Sequence, residues 1–152
     1  MTTHRNTVDT TRSPVRTAAQ VVAVVFLLVG VAGFIPGLTT DYGDMTFAGH
    51  HSEAHLFGVF QVSILHNIVH LLFGVAGLAL ARTADGARGY LIAGGVIYLI
   101  LWLYGLVVGE DSAANFVPLN GADDWLHLGL GLGMLALGLG LTRRTANPHG
   151  TP

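Results

Sequence analysis

Residues 54–81 read AHLFGVFQVSILHNIVHLLFGVAGLALA and contain no Arg, Lys, Asp or Glu. Apolar residues run through this stretch without alternating with polar ones, and the run is far longer than a β-strand. About 20 apolar residues are enough to cross the hydrocarbon core of a bilayer, which is about 30 Å thick. We therefore predict a transmembrane helix over residues 54–81.

Three more apolar runs share this character and lie at residues 18–35, 89–108 and 125–141. Of the 152 residues, 51% are hydrophobic and 11% are charged, whereas a soluble domain carries about 25% charged residues. The four runs together predict an all-α fold, an integral membrane four-helix bundle. We expect one membrane domain over residues 18–142, between disordered cytoplasmic tails at 1–17 and 143–152. The alternative for the first run is a cleaved signal peptide, although this run is longer than the usual apolar core of such a peptide.

The arginines predict how the chain is oriented. All seven basic residues are arginines, and they flank the same ends of the four runs. Basic residues accumulate on the cytoplasmic side of a membrane. Seven of the nine acidic residues lie in the loops on the other side, residues 37–53 and 109–124. We therefore predict a multi-pass protein of the cell membrane with both termini in the cytoplasm. The arginines are Arg5, Arg12, Arg16, Arg82, Arg88, Arg143 and Arg144.

Histidines lie along one side of the second predicted helix. With about 100° between successive residues, four histidines fall on this side together with a serine and an asparagine, and small residues continue it. Polar groups followed by small residues indicate a buried face that packs closely on another helix, not a face exposed to lipid. The residues of this face are His51, His55, Ser63, His66, Asn67, His70, Gly74, Gly77 and Ala81.

The fourth predicted helix offers a partner for this face. Asp124 and His127 are three residues apart and share one side of the helix. Gly129 and Gly133 lie on the opposite side, at the spacing that permits close contact between helices. Besides the lipid bilayer, a second copy of the chain bound through the Gly129/Gly133 face is therefore an expected partner. The glycines that continue the side of Asp124 and His127 are Gly131 and Gly138.

A short motif occurs in both the second and the fourth predicted helix. Asn67-x-x-His70-Leu71 and Asp124-x-x-His127-Leu128 have the same spacing, and each precedes a Gly-rich apolar run that ends in arginine. Two repeated helical hairpins would explain the match. Chance similarity in a Leu- and Gly-rich chain is the alternative.

The histidines allow a cofactor site. Neutral imidazole nitrogens bind transition metals and haem. His66, His70 and His127 are therefore candidate ligands of a haem or of a divalent transition metal. In and beside the acidic outer loops, we expect a further metal site at His51, His55 and Asp124.

Two other interpretations of the same polar residues stay open. In the first, they only hydrogen-bond between helices and hold the bundle together. In the second, they line a path for protons or for a small apolar ligand such as a quinone. The residues expected in a purely structural polar cluster are Ser63, Asn67, Asn115 and Asn120.

Several classes of function are disfavoured by the residues that the chain lacks. Cysteine is absent, which removes thiolate catalysis, disulfides and cysteine metal sites. No His-Glu-x-x-His motif or other recognisable nucleophile and base is present. The arginines lie beside the ends of the apolar runs, where orientation already explains them, so we expect no nucleic-acid binding. A non-enzymatic scaffold or accessory subunit is the favoured function, and a haem- or metal-binding redox protein is the first alternative.

Four segments of the chain resemble a family of bacterial, mainly actinobacterial, membrane proteins known as domain of unknown function 4383. The resemblance covers residues 18–142 and implies the membrane topology described above, but no activity. Asn is usual in that family where this chain has Asp124, which strengthens the case for two repeated hairpins. The segments that carry the resemblance are Gly49–Ser52, Phe60–Ser63, His66–Gly77 and Asn115–His127.

Overall fold

Four helices make up most of the computed structural model, which describes residues 13–141. They are α1 (Pro14–Ala32), α2 (Ile64–Leu80), α3 (Ala84–Val107) and α4 (Gly121–Gly140). The prediction of a mostly helical chain with four helices is confirmed. The predicted tails at residues 1–12 and 143–152, with Arg5, Arg12, Arg143 and Arg144, lie outside the described residues.

The connection between α1 and α2 contains a small antiparallel sheet, so the all-α prediction is wrong in this segment. Its three strands are β1 (Thr39–Thr40), β2 (His55–Leu56) and β3 (Phe60–Gln61). They pair in the order β1-β2-β3, and a single 3-10 turn, Tyr42–Asp44, lies between β1 and β2. Thr40 pairs with His55, and His55 pairs with Gln61.

The predicted helix over residues 54–81 is therefore too long by ten residues at its start. Phe57 and Gly58 have φ values of 54° and 70°, which turn the chain between β2 and β3 and cannot continue a helix. Ser63 then caps α2, because its hydroxyl accepts a hydrogen bond from the amide of His66. His51 and His55 precede this cap, so the predicted face that joined them to His66 and His70 is wrong.

The other helix bounds differ from the predicted ones because capping residues lie outside the apolar runs. α1 begins at Pro14, a residue suited to the first helical turn, so residues 14–17 are helical and do not belong to a tail. The hydroxyl of Thr83 caps α3. Asn120 and Asp123 form a reciprocal capping box at the start of α4.

The helices pack as two hairpins, α1 with α2 and α3 with α4. Leu27 and the backbone of Ala23 cover Gly74 in the first hairpin. Leu99 and the backbone of Gly95 cover Gly131 in the second. The small residues of the two predicted faces are all buried, namely Gly74, Gly77, Ala81, Gly131 and Gly138. The prediction that α4 is the partner of the α2 face is wrong, because this face packs on α1 and the glycine face of α4 packs on α3.

By length and composition, α1 and α3 are apolar enough to cross a membrane, and α2 is a shorter apolar helix. All four helices direct large apolar side chains away from the core. Examples are Val21, Leu28, Leu72, Val75, Ile100, Leu103 and Leu132, each more than half exposed.

Candidate functional site

A cavity of about 210 Å³ lies between α1, α2, α4 and the small sheet. Its walls are mostly apolar, and its polar lining residues are His66, His70, Asp123 and His127. We call this cavity the chamber. The structure thus brings together the three histidines that the sequence singled out, although His127 is 57 residues beyond His70.

The three chamber histidines are buried and incompletely hydrogen-bonded. Their exposed fractions are 4% for His66, 9% for His70 and 3% for His127. The rings of His66 and His70 lie 4.5 Å apart between centroids. Within residues 13–141, the Nδ1 atom of each of the three rings is buried without a hydrogen-bond partner. A neutral imidazole offers one donor and one acceptor, so each ring retains capacity to bind a polar group.

Aromatic rings pack against two of these histidines. Phe26 of α1 lies against His70, with ring centroids 5.8 Å apart, and Tyr98 of α3 lies against His127 at 5.2 Å. Phe26 and Tyr98 stack on each other at 5.5 Å. The two hairpins therefore meet through a continuous row of four rings beside the chamber.

The contacts of the two hairpins match at constant sequence offsets. The ring contact between Phe26 and His70 in the first hairpin corresponds to the one between Tyr98 and His127 in the second. Tyr98 follows Phe26 by 72 positions, and His127 follows His70 by 57. The same two offsets relate two further contacts. Leu27 covers Gly74 as Leu99 covers Gly131, and Gly33 meets Asn67 as Gly105 meets Asp124.

Asp123 is a chamber residue that belongs to none of the predicted sites. It is 2% exposed, and its Oδ2 atom accepts hydrogen bonds of 3.1 Å from the amides of Gln61 in β3 and Asn120. Asp123 lies before the apolar run 125–141, and its place in the capping box was the signal for its importance.

The four residues expected in one polar cluster lie in separate local structures. Ser63 caps α2. Asn67 packs against Gly33 and donates to the sulfur of Met45 at 3.9 Å, and its buried Oδ1 has no hydrogen-bond partner in the described part of the chain. Asn115 ties the loop before α4 through bonds to Glu110 and Leu119. Asn120 caps α4 and donates to the carbonyl of Val59, which fastens this loop to the β2–β3 turn.

The expected metal ligands His51, His55 and Asp124 lie apart in the fold. His51 stacks on His50, and the Nδ1 of His55 bonds with the carbonyl of Glu53 at 2.7 Å. Asp124 faces Gly105 of α3. Over residues 13–141, no three His, Asp or Glu side chains are grouped as metal ligands would be.

The chamber also does not fit the expected haem. Pockets for drug-sized ligands measure about 300–1,000 Å³, and the chamber is smaller, at about 210 Å³. The expected axial pair, His66 or His70 with His127, would have to hold a porphyrin between the two helices, and the chamber is too small for one. The chamber residues suit a ligand smaller than haem.

A family model described as Domain of unknown function (DUF4383) matches residues 16–140. The chain belongs to this family. The match spans all four helices and the chamber, and it confirms the resemblance found in the sequence. No curated protein and no solved structure matched the chain. DUF4383 carries no assigned activity, so a function has to be argued from the chamber.

Proposed function

We propose that this DUF4383 protein is a non-enzymatic membrane protein that holds a small, largely apolar ligand in the chamber. The observation that carries the proposal is the cavity with three buried imidazoles whose Nδ1 atoms have no partner among the described residues. A buried polar group without a partner costs about 1–3 kcal/mol, and a bound ligand removes this cost. Nearby hydroxyls do not act as nucleophiles in this proposal, because Ser52 and Ser63 are engaged with the backbone.

The proposal places all four helices across the bilayer, as two repeated hairpins with both termini in the cytoplasm. Apolar side chains that point away from the core support it, because such a surface suits lipid better than water. The matched ring and glycine contacts of the hairpins support the repeat. In membrane proteins built from repeats, ligand sites commonly lie at the interface between the repeats, and the row of rings beside the chamber occupies this position.

The topology is testable because the chain contains no cysteine. We expect Asp111→Cys, in the exposed loop before α4, to react with a membrane-impermeant maleimide added to intact cells. Thr83→Cys, between α2 and α3, should react only after lysis, because this link is cytoplasmic in the proposal. The wild-type chain serves as the unlabelled control. Equal labelling of both variants in intact cells would refute the orientation.

Ligand binding is testable by filling the chamber. Leu130 lines the chamber, whereas Leu132, on the same helix, is 54% exposed and points away from it. In lipid nanodiscs, a photoreactive aryl diazirine of about the size of toluene should label chamber peptides saturably. We expect Leu130→Trp to abolish the saturable labelling and Leu132→Trp to leave it unchanged. Labelling that never saturates in the wild type would sink the proposal.

A scaffold role is the second candidate, and the Gly129/Gly133 face of α4 favours it. A Cβ atom at either glycine would meet no atom of residues 13–141 within 4 Å, so this part of the chain leaves the face open to another helix. We expect Gly133→Leu to reduce cross-linking between copies of the chain in native membranes severalfold. Gly89→Leu, at another open glycine, is the matched control and should have no effect. Unchanged cross-linking in Gly133→Leu would exclude association through this face.

A further inference from the structure

The size of the chamber limits the ligand to about one ring. A dry apolar cavity of about 150 Å³ in another protein is known to hold benzene. The chamber, at about 210 Å³, has room for one six-membered ring with a small substituent. Phe26 and Phe60, which line the chamber, are suited to contact such a ring by stacking or edge-to-face packing.

The chamber histidines favour a ring that carries an oxygen atom able to form hydrogen bonds with them. His66 and His127 are 4% and 3% exposed, and their Nδ1 atoms have no partner among the described residues. A hydroxyl both donates and accepts a hydrogen bond, and a carbonyl accepts one, so either group can pair with a neutral imidazole. A purely apolar ring would leave these nitrogens unpaired. The polar groups therefore distinguish an oxygen-bearing ring from a plain hydrocarbon.

A groove on the outside of α1 continues from the chamber. It has a volume of about 300 Å³, and every residue that lines it is apolar. Val29 and Phe57 line both the groove and the chamber, so the two spaces adjoin there. Leu28 and Val31, on the groove, are 64% and 50% exposed, which places its open side toward lipid in the proposed membrane orientation.

Phe57 stands between the two spaces because of an unusual backbone conformation. Its φ of 54° is left-handed, which is rare for a bulky residue and costs about 1–2 kcal/mol. The turn that contains Phe57 is anchored by a 2.7 Å hydrogen bond from its amide to the carbonyl of Leu38. The ring is 59% exposed, so it can move aside without disrupting the core.

We propose that the chamber and groove together bind a lipid-soluble molecule with a single-ring head that bears a hydroxyl or carbonyl oxygen and with an apolar tail. The head occupies the chamber, its oxygen pairs with the imidazoles, and the tail lies in the groove along α1. Quinols, quinones and alkylphenols with one ring have this chemistry. The inference rests on the proposed function, since it assigns the ligand class of the same chamber.

The head is tested by competition against the saturable aryl diazirine labelling in nanodiscs, with each competitor measured in the lipid phase. Phenol and toluene have similar sizes and differ by the hydroxyl. We expect phenol to compete about tenfold better, as one added hydrogen bond implies. The double variant His66→Phe/His127→Phe should lose this preference while its thermal stability without ligand stays that of the wild type. Stability matters here because purely structural histidines would destabilise the protein when replaced.

The tail is tested with 4-decylphenol against 4-methylphenol, which carry the same head. In the wild type we expect 4-decylphenol to compete severalfold better at equal concentration in the lipid phase, because only its tail gains packing contacts in the groove. Val31→Trp, at the groove, should remove this advantage. Val21→Trp, at an equally exposed site of α1 outside the groove, should preserve it.

The outcomes separate this inference from the proposed function. Saturable labelling with equal competition by phenol and toluene would overturn the oxygen-bearing head and leave a ligand chamber. Equal competition by the two alkylphenols would overturn the tail in the groove. Failure of the labelling to saturate would remove the proposed function, and the inference would fall with it.

Discussion

Replacing Gly131 with leucine is expected to prevent α3 and α4 from packing, so that little folded protein accumulates. A Cβ atom at this position would come within 2.7 Å of Leu99 Cδ2 and 3.1 Å of the carbonyl oxygen of Gly95. The leucine side chain can shift, but the α3 backbone cannot move without separating the hairpin. Inserting extra methylene groups into a packed core costs about 1–3 kcal/mol or more, against a total stability of about 5–15 kcal/mol for a typical domain.

Gly129→Leu is the matched control, because it lies on the same helix and a Cβ atom there meets nothing within 4 Å. Yield from membranes, size-exclusion behaviour and thermal unfolding in detergent would be measured for both variants. Gly131→Leu should aggregate or unfold at a much lower temperature, and Gly129→Leu should match the wild type in folding. Similar unfolding temperatures for both variants would show that α3 and α4 do not pack through Gly131.

Replacing Asp123 with alanine is expected to detach the small sheet from α4. The Oδ2 atom of Asp123 is the acceptor for the amides of both Gln61 and Asn120. Alanine leaves both partly buried amides without this acceptor, and a fully buried amide without a partner would cost about 1–3 kcal/mol. Asp123→Asn keeps a carbonyl oxygen in nearly the same place and should preserve both hydrogen bonds. The alanine variant should therefore unfold at a clearly lower temperature than the asparagine variant, and equal temperatures would contradict this role.

The helices and their contact faces were largely predictable because both are encoded locally. A long apolar run forms a helix whatever lies elsewhere in the chain, and small residues three or four apart define the side that can approach a neighbour. This spacing placed four glycines on buried faces, namely Gly74, Gly77, Gly131 and Gly138. It placed Gly129 and Gly133 on the opposite side of the fourth helix. The helix starts were predicted less well, because Ser63 and Asn120 end the neighbouring loops through capping bonds that apolarity does not reveal.

The segment 54–63 shows why the small sheet was not predicted. Six of its ten residues are hydrophobic, and periodicity alone does not separate a short buried strand from a helix. Pairing of His55 with Thr40 and Gln61 decides the outcome, together with the turn at Phe57 and Gly58. Gly58 and Ser63 were the local signals for this break.

What the sequence determined by itself is the set of four helices, their small-residue faces, membership of DUF4383 and the histidines that matter. Only the tertiary structure decided that His66, His70 and His127 share one chamber with Asp123, and that the chamber continues into a groove along α1. The physical reason is the range of the interactions. Helix formation depends on residues within one or two turns, whereas the chamber is created where two hairpins and a sheet, distant along the chain, leave a space between them.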